Sequence, residues 1–415
     1  MTKDLKNLIV SLDIGTSKVV ALVAEMLSDG SHKILGLGQY DPTGLKRDSV
    51  KRGVIVNIDA TVEAIQYAIE EAELMADCKI RQVYAGIAGN HIRSFNSHGM
   101  VAIKGKEVST ADVLRVLDTA RAVSIQTGKQ LLHTVSQEYK VDGQDGIRDP
   151  IGMSGMRLEV KVHIVTGDAS AVDNLLKCIR RCGLEVAGLI LQPMASADAV
   201  LTEDEKELGV TLIDIGGGTT DIAIFTNGAI RHTAVIPIAG DYITSDIAKI
   251  LQTPTQEAEE IKQRYGIAKQ TLADPGETIE VVGIGNRKTR PLSRQMLAAI
   301  IEPRVEEIFE QVLYVMNESG YGELLSSGVV LTGGAAMMQG MTELAEEIFL
   351  KPVRVGYPQY TGNLADIVQS SRYATAHGLL LEARRQYARG AANVGQQGKI
   401  QSLWEKTKIW FVGNF

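Results

Sequence analysis

Val210-Thr211-Leu212-Ile213-Asp214-Ile215-Gly216-Gly217-Gly218-Thr219-Thr220-Asp221-Ile222 is an apolar strand that closes on an acid, bends through glycines and hydroxyls, and resumes as a second strand. Glycines in such a bend let amide N–H groups converge on phosphate oxygens with no Cβ in the way, and threonine hydroxyls add donors. The aspartate at the strand end cannot bind phosphate, since both are anions. It can hold Mg2+ through water, because magnesium keeps several waters and takes few carboxylates. The same plan opens the chain, where Leu8-Ile9-Val10-Ser11-Leu12-Asp13-Ile14-Gly15-Thr16-Ser17-Lys18 leads into Val19-Val20. Each segment predicts a β-hairpin with a tight Gly/Ser/Thr turn. Either turn alone could be an ordinary hairpin. Two with the same Asp-Ile-Gly opening predict two halves of similar plan that face one another, with Asp13 and Asp214 flanking one metal.

Working outward, 415 residues are too many for one ordinary core, and two or more domains are expected. Hydrophobic residues at 45% and charged residues at 22% are globular usage, which excludes a disordered chain or a fibre. Forty-three basic against 50 acidic side chains leave a net charge of −7, so nucleic acid gripped over the whole surface is excluded and a local basic patch is the most that could serve. Cys78, Cys178 and Cys182 make an odd set in a long chain, which argues against a disulfide framework. Cys178 and Cys182 lie one helical turn apart with no histidine or cysteine pair to complete a zinc site, so buried thiols are expected. The opening Met1–Asn7 runs straight into Leu8-Ile9-Val10, too short an apolar run for a signal peptide, and no stretch of eighteen apolar residues would span a bilayer. A cytoplasmic protein is expected, unless something else ties it to a surface.

Strands and helices alternate along the chain, which implies α/β layers with mixed sheets. A helix over 60–76, a strand over 82–87, and strands at 158–166 and 185–191 around a helix at 169–182 follow from the patterns. The polar, turn-rich stretch 88–160, with a helix near 110–124, reads as an inserted subdomain, and 229–300 as a second insertion. From 384 the composition shifts toward Arg389-Gly390-Ala391-Ala392-Asn393-Val394-Gly395, the composition of a flexible linker. Two more features carry chemistry. Gly333-Gly334, after the strand Val329-Val330-Leu331-Thr332, would let a flat ring or a sugar lie against bare backbone. Glu259 and Lys262 share one face of the helix Glu257–Tyr265, where they could bind ribose hydroxyls and a base or simply pair in solvent.

Taken together, the two Asp-Ile-Gly turns, the strand-Gly-Gly element, Ala258-Glu259-Glu260-Ile261-Lys262 and two small-residue helices resemble the actin, heat-shock-chaperone and sugar-kinase superfamily. Those helices are Gln192-Pro193-Met194-Ala195-Ser196-Ala197 and Tyr373-Ala374-Thr375-Ala376-His377-Gly378-Leu379, and in that superfamily they cross at a hinge where Ala and Gly permit close approach. More narrowly, residues 5–385 resemble the FtsA family of bacterial cell-division proteins. The resemblance rests on Ala72-Glu73-Leu74-Met75-Ala76-Asp77-Cys78, Gln137-Glu138-Tyr139, Leu201-Thr202-Glu203-Asp204-Glu205-Lys206-Glu207-Leu208-Gly209 and Ile301-Glu302-Pro303-Arg304.

That resemblance implies an α/β, actin-like two-lobed fold of duplicated ribonuclease-H-like domains, with an FtsA-type inserted subdomain and a C-terminal amphipathic helix. It divides the chain into a lobe 1 core (1–87, 161–196 and 366–385), the insert (88–160), a lobe 2 core (197–228 and 301–365), a lobe 2 insertion (229–300), a flexible linker (386–400) and a membrane-targeting helix (401–415). ATP and Mg2+ are the implied cofactors. Asp13 and Asp214 face the metal; Gly15, Thr16, Ser17, Lys18, Gly216, Gly217, Gly218 and Thr219 surround the phosphates; Glu259, Lys262, Gly333 and Gly334 hold the adenosine. Gln192 matches the residue that orients the attacking water in active relatives, with Asp214 assisting, but a glutamine is no strong general base, so at most a slow ATPase is expected.

Both tryptophans fall in the tail. On a helix Leu403, Trp404, Trp410, Phe411 and Phe415 share a side flanked by Lys406 and Lys408, which suits the interfacial zone of an anionic membrane, although a terminal helix docked on the body is the plainer alternative. The basic run Asn286–Arg294, with Arg304 near it in sequence, lacks interleaved aromatics for stacking bases, so a solvated loop is preferred to nucleic acid. The resemblance offers a third reading, with Arg287, Lys288, Arg290, Arg294 and Arg304 receiving the C-terminal peptide of the tubulin-like FtsZ. The implied function is to anchor FtsZ polymers to the cytoplasmic face of the inner membrane at the division site, to recruit later divisome proteins, and to self-associate into actin-like protofilaments. A pilus-assembly ATP-binding adaptor of the same fold and a sugar-kinase-type phosphotransferase are the rivals.

Overall fold

A computed structural model of the chain describes residues 7–41, 49–285 and 288–394. The chain opens with the meander β1 (Leu8–Ile14), β2 (Val19–Met26) and β3 (His32–Tyr40), followed by the small hairpin β4 (Val50–Lys51) and β5 (Val54–Ile55), α1 (Ile58–Ala76) and β6 (Gln82–Ile87). Asn57 caps α1 by accepting from Ala60 N–H at 3.1 Å, and Asp77 ends it in the left-handed region. Then come β7 (Arg93–Ala102), α2 (Thr110–Arg121), β8 (Lys129–Val141), β9 (Gln144–Ile147) and β10 (Arg157–Asp168), which form a sheet in the order β7-β10-β8-β9. Its core is α2, whose Val113, Val116, Leu117 and Ala120 face Leu158, Val160, Val162 and Ile164 of β10. Next are α3 (Ala169–Arg181), β11 (Glu185–Leu191), α4 (Gln192–Val200) and α5 (Glu203–Leu208). A second meander, β12 (Val210–Ile215), β13 (Thr220–Thr226) and β14 (Ala229–Ile236), leads into α6 (Gly240–Leu251), α7 (Thr255–Tyr265), β15 (Thr278–Val281), β16 (Arg290–Ser293) and α8 (Arg294–Glu318). The chain closes with β17 (Val329–Thr332), α9 (Met341–Phe349), β18 (Val353–Val355), α10 (Ala365–Val368) and α11 (Ala374–Val394).

The two main sheets have one plan. The first is ordered β11-β6-β1-β2-β3 and the second, taken from its other edge, β18-β17-β12-β13-β14. In each, an antiparallel hairpin stands beside parallel strands: β1 pairs antiparallel with β2 and parallel with β6, and β12 pairs likewise with β13 and β17. This is the duplicated, actin-like α/β architecture expected of the chain. The lobe 1 sheet is covered on one face by α1 and α3, through Ile65, Ala68, Val172 and Ile179, and on the other by α11, through Ala376, Leu380 and Ala383. Lobe 2 packs its sheet on α6 and α8, with Phe309 at the centre of the cluster. Side chains buried this completely contribute about 1.5–3 kcal/mol each.

Three boundaries differ from expectation. The insert does not end at 160, because β10 pairs with β7 and β8 all the way from Arg157 to Asp168. Residues 229–236 are no insertion but the edge strand β14 of the lobe 2 sheet. Asn227 and Gly228, at φ of 53° and 71°, form a two-residue turn that folds β14 back on β13. The linker expected from 386 begins as helix instead: α11 continues to Val394, since the alanines and long side chains of this stretch favour helix and Gly390 alone costs only about 1 kcal/mol. The remaining linker and the tail residues Leu403, Trp404, Trp410, Phe411 and Phe415 lie outside the described residues.

The insert also touches lobe 2. Ser94 Oγ donates to the Thr233 carbonyl at 2.8 Å, Asn96 Nδ2 to that of Arg231 at 3.2 Å, and Gln137 Nε2 to that of Ile230 at 2.8 Å. Side chains of the insert thereby satisfy edge carbonyls of β14 that no neighbouring strand pairs.

Candidate functional site

Both Asp-Ile-Gly turns lie at one end of their sheets, and they face each other. Asp13 stands opposite Val20, and Asp214 opposite Asp221, in their hairpins. A methyl group added to Gly217 would lie 2.9 Å from Ser17 Cβ, and one on Gly218 would lie 2.5 Å from Thr16 Oγ1. Only glycine allows this approach. In each bend the first glycine amide closes the hairpin, Gly15 N–H to Lys18 at 2.9 Å and Gly216 N–H to Thr219 at 3.0 Å. Among the described residues the next amides, of Thr16, Ser17, Gly217 and Gly218, take no backbone acceptor.

Behind the turns, α4 and α11 cross at close range. Gly378 lies so near that a Cβ there would sit 1.7 Å from the Ala195 carbonyl oxygen. The two helices also bring polar groups to the aspartates. Gln192, the first residue of α4, donates from Nε2 to Asp13 Oδ1 at 3.0 Å, in space left by Gly86. Ser196 Oγ and Thr375 Oγ1 both donate to Asp214 Oδ2, at 2.6 and 3.1 Å. Burial pushes the Asp13 carboxyl up to about 6; nearby Lys18 opposes the rise and Asp214 adds to it. Burial likewise raises Asp214, against the hydroxyl of Ser196 and the charge of Lys18. The Lys18 ammonium is brought down to about 8 by burial, despite the pull of Asp13. Its Nζ donates to the Arg372 carbonyl and lies 4.9 Å from the centre of the Tyr373 ring, so it braces the start of α11 as well as facing Asp13.

A third acid, Asp221, belongs to the same cluster and was not among the expected site residues. Thr219 Oγ1 donates to its Oδ2 at 2.9 Å, which turns that hydroxyl toward Asp221, while Oδ1 is buried with no partner. Burial and the neighbouring Asp214 raise its carboxyl to about 8. Three buried acids with raised proton affinity make a place where a cation would relieve electrostatic cost. Among the described residues no group of three or more His, Cys, Asp or Glu side chains is arranged to hold a metal.

The expected adenosine side lies on lobe 2. The Lys262 and Glu259 side chains retain only 10% and 15% of their exposure and pair at 2.9 Å, so this is no solvated surface pair. Lys262 Nζ also donates to the Gly240 carbonyl at 3.1 Å and contacts Thr244 Oγ1 at 2.9 Å. Burial alone would raise Glu259, but Lys262, Thr244 and Gln263 outweigh it and hold the carboxyl at about 2. Gly333, at φ of 89°, has no room for a side chain, since a Cβ would sit 2.4 Å from Asp214 Oδ1; a Cβ on Gly334 would meet open space. A phosphate chain and a nucleoside therefore fit the residues present: turn amides that take no backbone acceptor among the described residues, a cluster of acids suited to a hydrated cation, and a bare glycine surface beside an organised polar pair.

Among the described residues, the basic run does not form one cationic patch. Arg294 donates to the Tyr265 carbonyl, Glu277 and Gln339, and Arg290 to the Leu251 carbonyl. Arg304 is held by Asp246 at 2.6 Å and by Glu307. Lys288 is exposed, near exposed Ile284, and Arg287 lies outside the described residues. What sequence reasoning missed were the hydroxyls of Ser196 and Thr375, which sat within helices noted for their small residues, and Asp221, which sat within the quoted turn.

Comparison with known proteins gives concordant results. The family described as "Cell division protein FtsA" matches residues 211–378, and "SHS2 domain inserted in FTSA" matches residues 89–166. The cell-division protein FtsA of Pseudomonas aeruginosa is 54% identical over 415 residues, covering 99% of this chain and 98% of its own. That of Escherichia coli strain K12 is 43% identical over 419 aligned residues, covering 99% of both. Among solved structures, the PilM–PilN type IV pilus biogenesis complex superposes with a TM-score of 0.63 at 16% identity, covering 91% of this chain and 98% of the other. MreB5 of Spiroplasma citri bound to ADP gives 0.57 at 15% identity, covering 95% and 100%. At such identities these two likenesses speak to the fold alone.

Proposed function

The chain belongs to the FtsA family of bacterial cell-division proteins, and on that premise we propose that it is an ATP- and Mg2+-binding adaptor that anchors FtsZ polymers to the cytoplasmic face of the inner membrane at the division site and recruits later division proteins. The observation that carries the nucleotide half is the matched pair of turns, each ending a strand on a buried aspartate and packed closely against the other. When bound, the magnesium nucleotide would supply positive charge to the acids and a phosphate chain to the amides. Asp13 and Asp214 would hold the metal through water. Gly15, Thr16, Ser17, Lys18 and Gly216–Thr219 would cradle the phosphates, and Glu259, Lys262, Gly333 and Gly334 would hold the adenosine. Gln192 donates to Asp13, which leaves its Oε1 to orient a water. An amide cannot take that water's proton, and Asp214 already accepts two hydroxyl hydrogen bonds on one oxygen, so hydrolysis would be slow.

The tether half is supported by the tail sequence, with Leu403, Trp404, Trp410, Phe411 and Phe415 on one helical side beside lysines. For the FtsZ tail, the segment 284–304 would supply positive charge from Arg287, Lys288, Arg290, Arg294 and Arg304, with Ile284 and Met296 as exposed apolar side chains in the same stretch. Self-association into actin-like protofilaments completes the reading. The pilus-adaptor and kinase alternatives have no observation that favours them.

Flotation with anionic liposomes and ATP tests the tether, comparing the full chain with a version ending at Ile400. The full chain should float and recruit FtsZ, and the shortened chain should stay behind. If neither floats, or both float equally, the tail is not the lipid contact.

A further inference from the structure

The β4–β5 hairpin turns on two residues, Arg52 and Gly53, both in the left-handed region at φ of 51° and 73°. A two-residue turn of this kind asks for Asn, Asp or Gly at its first position, and a side chain as long as arginine's is placed there at a cost of about 1 kcal/mol. The turn is wedged in place: a methyl on Gly53 would sit 2.5 Å from Gly89 Cα. It also touches both candidate phosphate turns. Gly53 N–H lies 3.5 Å from Thr16 Oγ1, and a methyl on Gly218 would come within 3.0 Å of the Arg52 nitrogen.

From that position the Arg52 side chain crosses the cleft. Its Nη2 donates to Tyr242 Oη at 2.6 Å. Tyr242 lies in the first turn of α6, whose leading amides grip the second phosphate turn, Gly240 N–H to the Gly216 carbonyl at 3.1 Å and Asp241 N–H to that of Gly217 at 2.7 Å. Tyr242 is also steadied by Arg304, whose guanidinium is 5.4 Å from the ring centre and is itself tied to Asp246. Arg52 can leave without Tyr242 losing its support. Lys18, another cation near the turns, is committed to the Arg372 carbonyl, and the floor of the cleft is acidic through Asp13, Asp214 and Asp221. A triphosphate brings more negative charge than one divalent cation offsets, and a forked, permanently charged guanidinium matches phosphate oxygens better than a point charge does.

We propose that Arg52 is a terminal-phosphate contact: it exchanges Tyr242 for an oxygen of a bound nucleoside triphosphate and holds Tyr242 when that phosphate is absent. The hairpin of lobe 1 and α6 of lobe 2 are thereby joined directly in one nucleotide state and through the ligand in the other. This inference rests on the nucleotide reading of the cleft. Its test is equilibrium binding of ATP and ADP, each with Mg2+, to the full chain and to its Arg52→Ala, Arg52→Lys and Tyr242→Phe variants. Arg52→Ala should weaken ATP about tenfold, the loss of one charge-assisted contact or about 1.4 kcal/mol, and should shift ADP less than about twofold. Arg52→Lys should recover part of the ATP preference, and Tyr242→Phe should keep all of it. If Arg52→Ala retains the wild-type ratio of ATP to ADP affinity, or loses both nucleotides equally, Arg52 is a structural strut and the proposal fails. If the wild-type chain binds neither nucleotide, it is the nucleotide reading that fails.

Discussion

The two Asp-Ile-Gly turns are built alike and supported differently. Each closes a strand on a buried aspartate within reach of the Lys18 charge, yet Asp13 receives an amide from Gln192 while Asp214 receives two hydroxyls from the crossing helices. Ser196 and Thr375 also lie 3.0 Å from each other, so one oxygen of Asp214 ties α4 to α11. The second turn thus ties together the crossing of α4 and α11, whereas the first is bonded to α4 alone of the two, through a side chain at its tip. Duplication of a fold supplies two matched turns; the helices laid between them decide what each one does.

The sharpest way to break this comparison is to remove the supports. Ser196→Ala combined with Thr375→Val leaves Asp214 buried with neither donor and should cost about 3 kcal/mol in denaturant unfolding, since hydrogen bonds to charged groups contribute about 1.5–3 kcal/mol. Gln192→Ala should cost about 1 kcal/mol, because Lys18 still offsets the charge of Asp13. Equal losses would show that the two turns are supported alike.

A smaller effect should appear in pH dependence without ligand. Asp13 and Asp221 have proton affinities raised by folding from an ordinary value of 3.8, to about 6 and about 8. Protonation therefore favours the fold, and that contribution is complete below the unfolded value and lost as pH rises through the folded ones. Burial lowers the proton affinities of His32, His133, His163 and His377 from an ordinary 6.5, which works in the opposite sense below that value, so the wild-type melting temperature should fall only from about pH 6.5 to about pH 8. Asp221→Asn, which has no proton to lose, should flatten that fall. A profile as steep in the variant as in the wild type would contradict this.

Much of the fold was legible because its signals are local. An acid at a strand end followed by glycine and hydroxyls declares both turns within a dozen residues, and the repetition declares two lobes. Asn227-Gly228 was just as local a signal, but it was passed over, so β14 was assigned to an insertion. The extent of β10 and the last turns of α11 were missed for a different reason: strand pairing and helix continuation override a polar or glycine-containing composition. The candidate site divides along the same line. Its glycines and aspartates announce themselves, whereas the partners of Asp214 come from positions 18 and 161 residues away and depend on how α4 meets α11. Glu259 and Lys262 were equally consistent with a surface pair until the fold placed them against Gly240. Arg52 gave no signal at all, because its role depends on a helix in the opposite lobe.

The most direct test of the account is ATP binding measured with and without Mg2+ on the wild-type chain and on its Asp13→Asn and Asp214→Asn variants. The account predicts that the wild type binds ATP more tightly with Mg2+ and that either substitution removes most of that gain, because one hydrated cation lies between both turns. Wild-type Mg2+ dependence in both variants would contradict it.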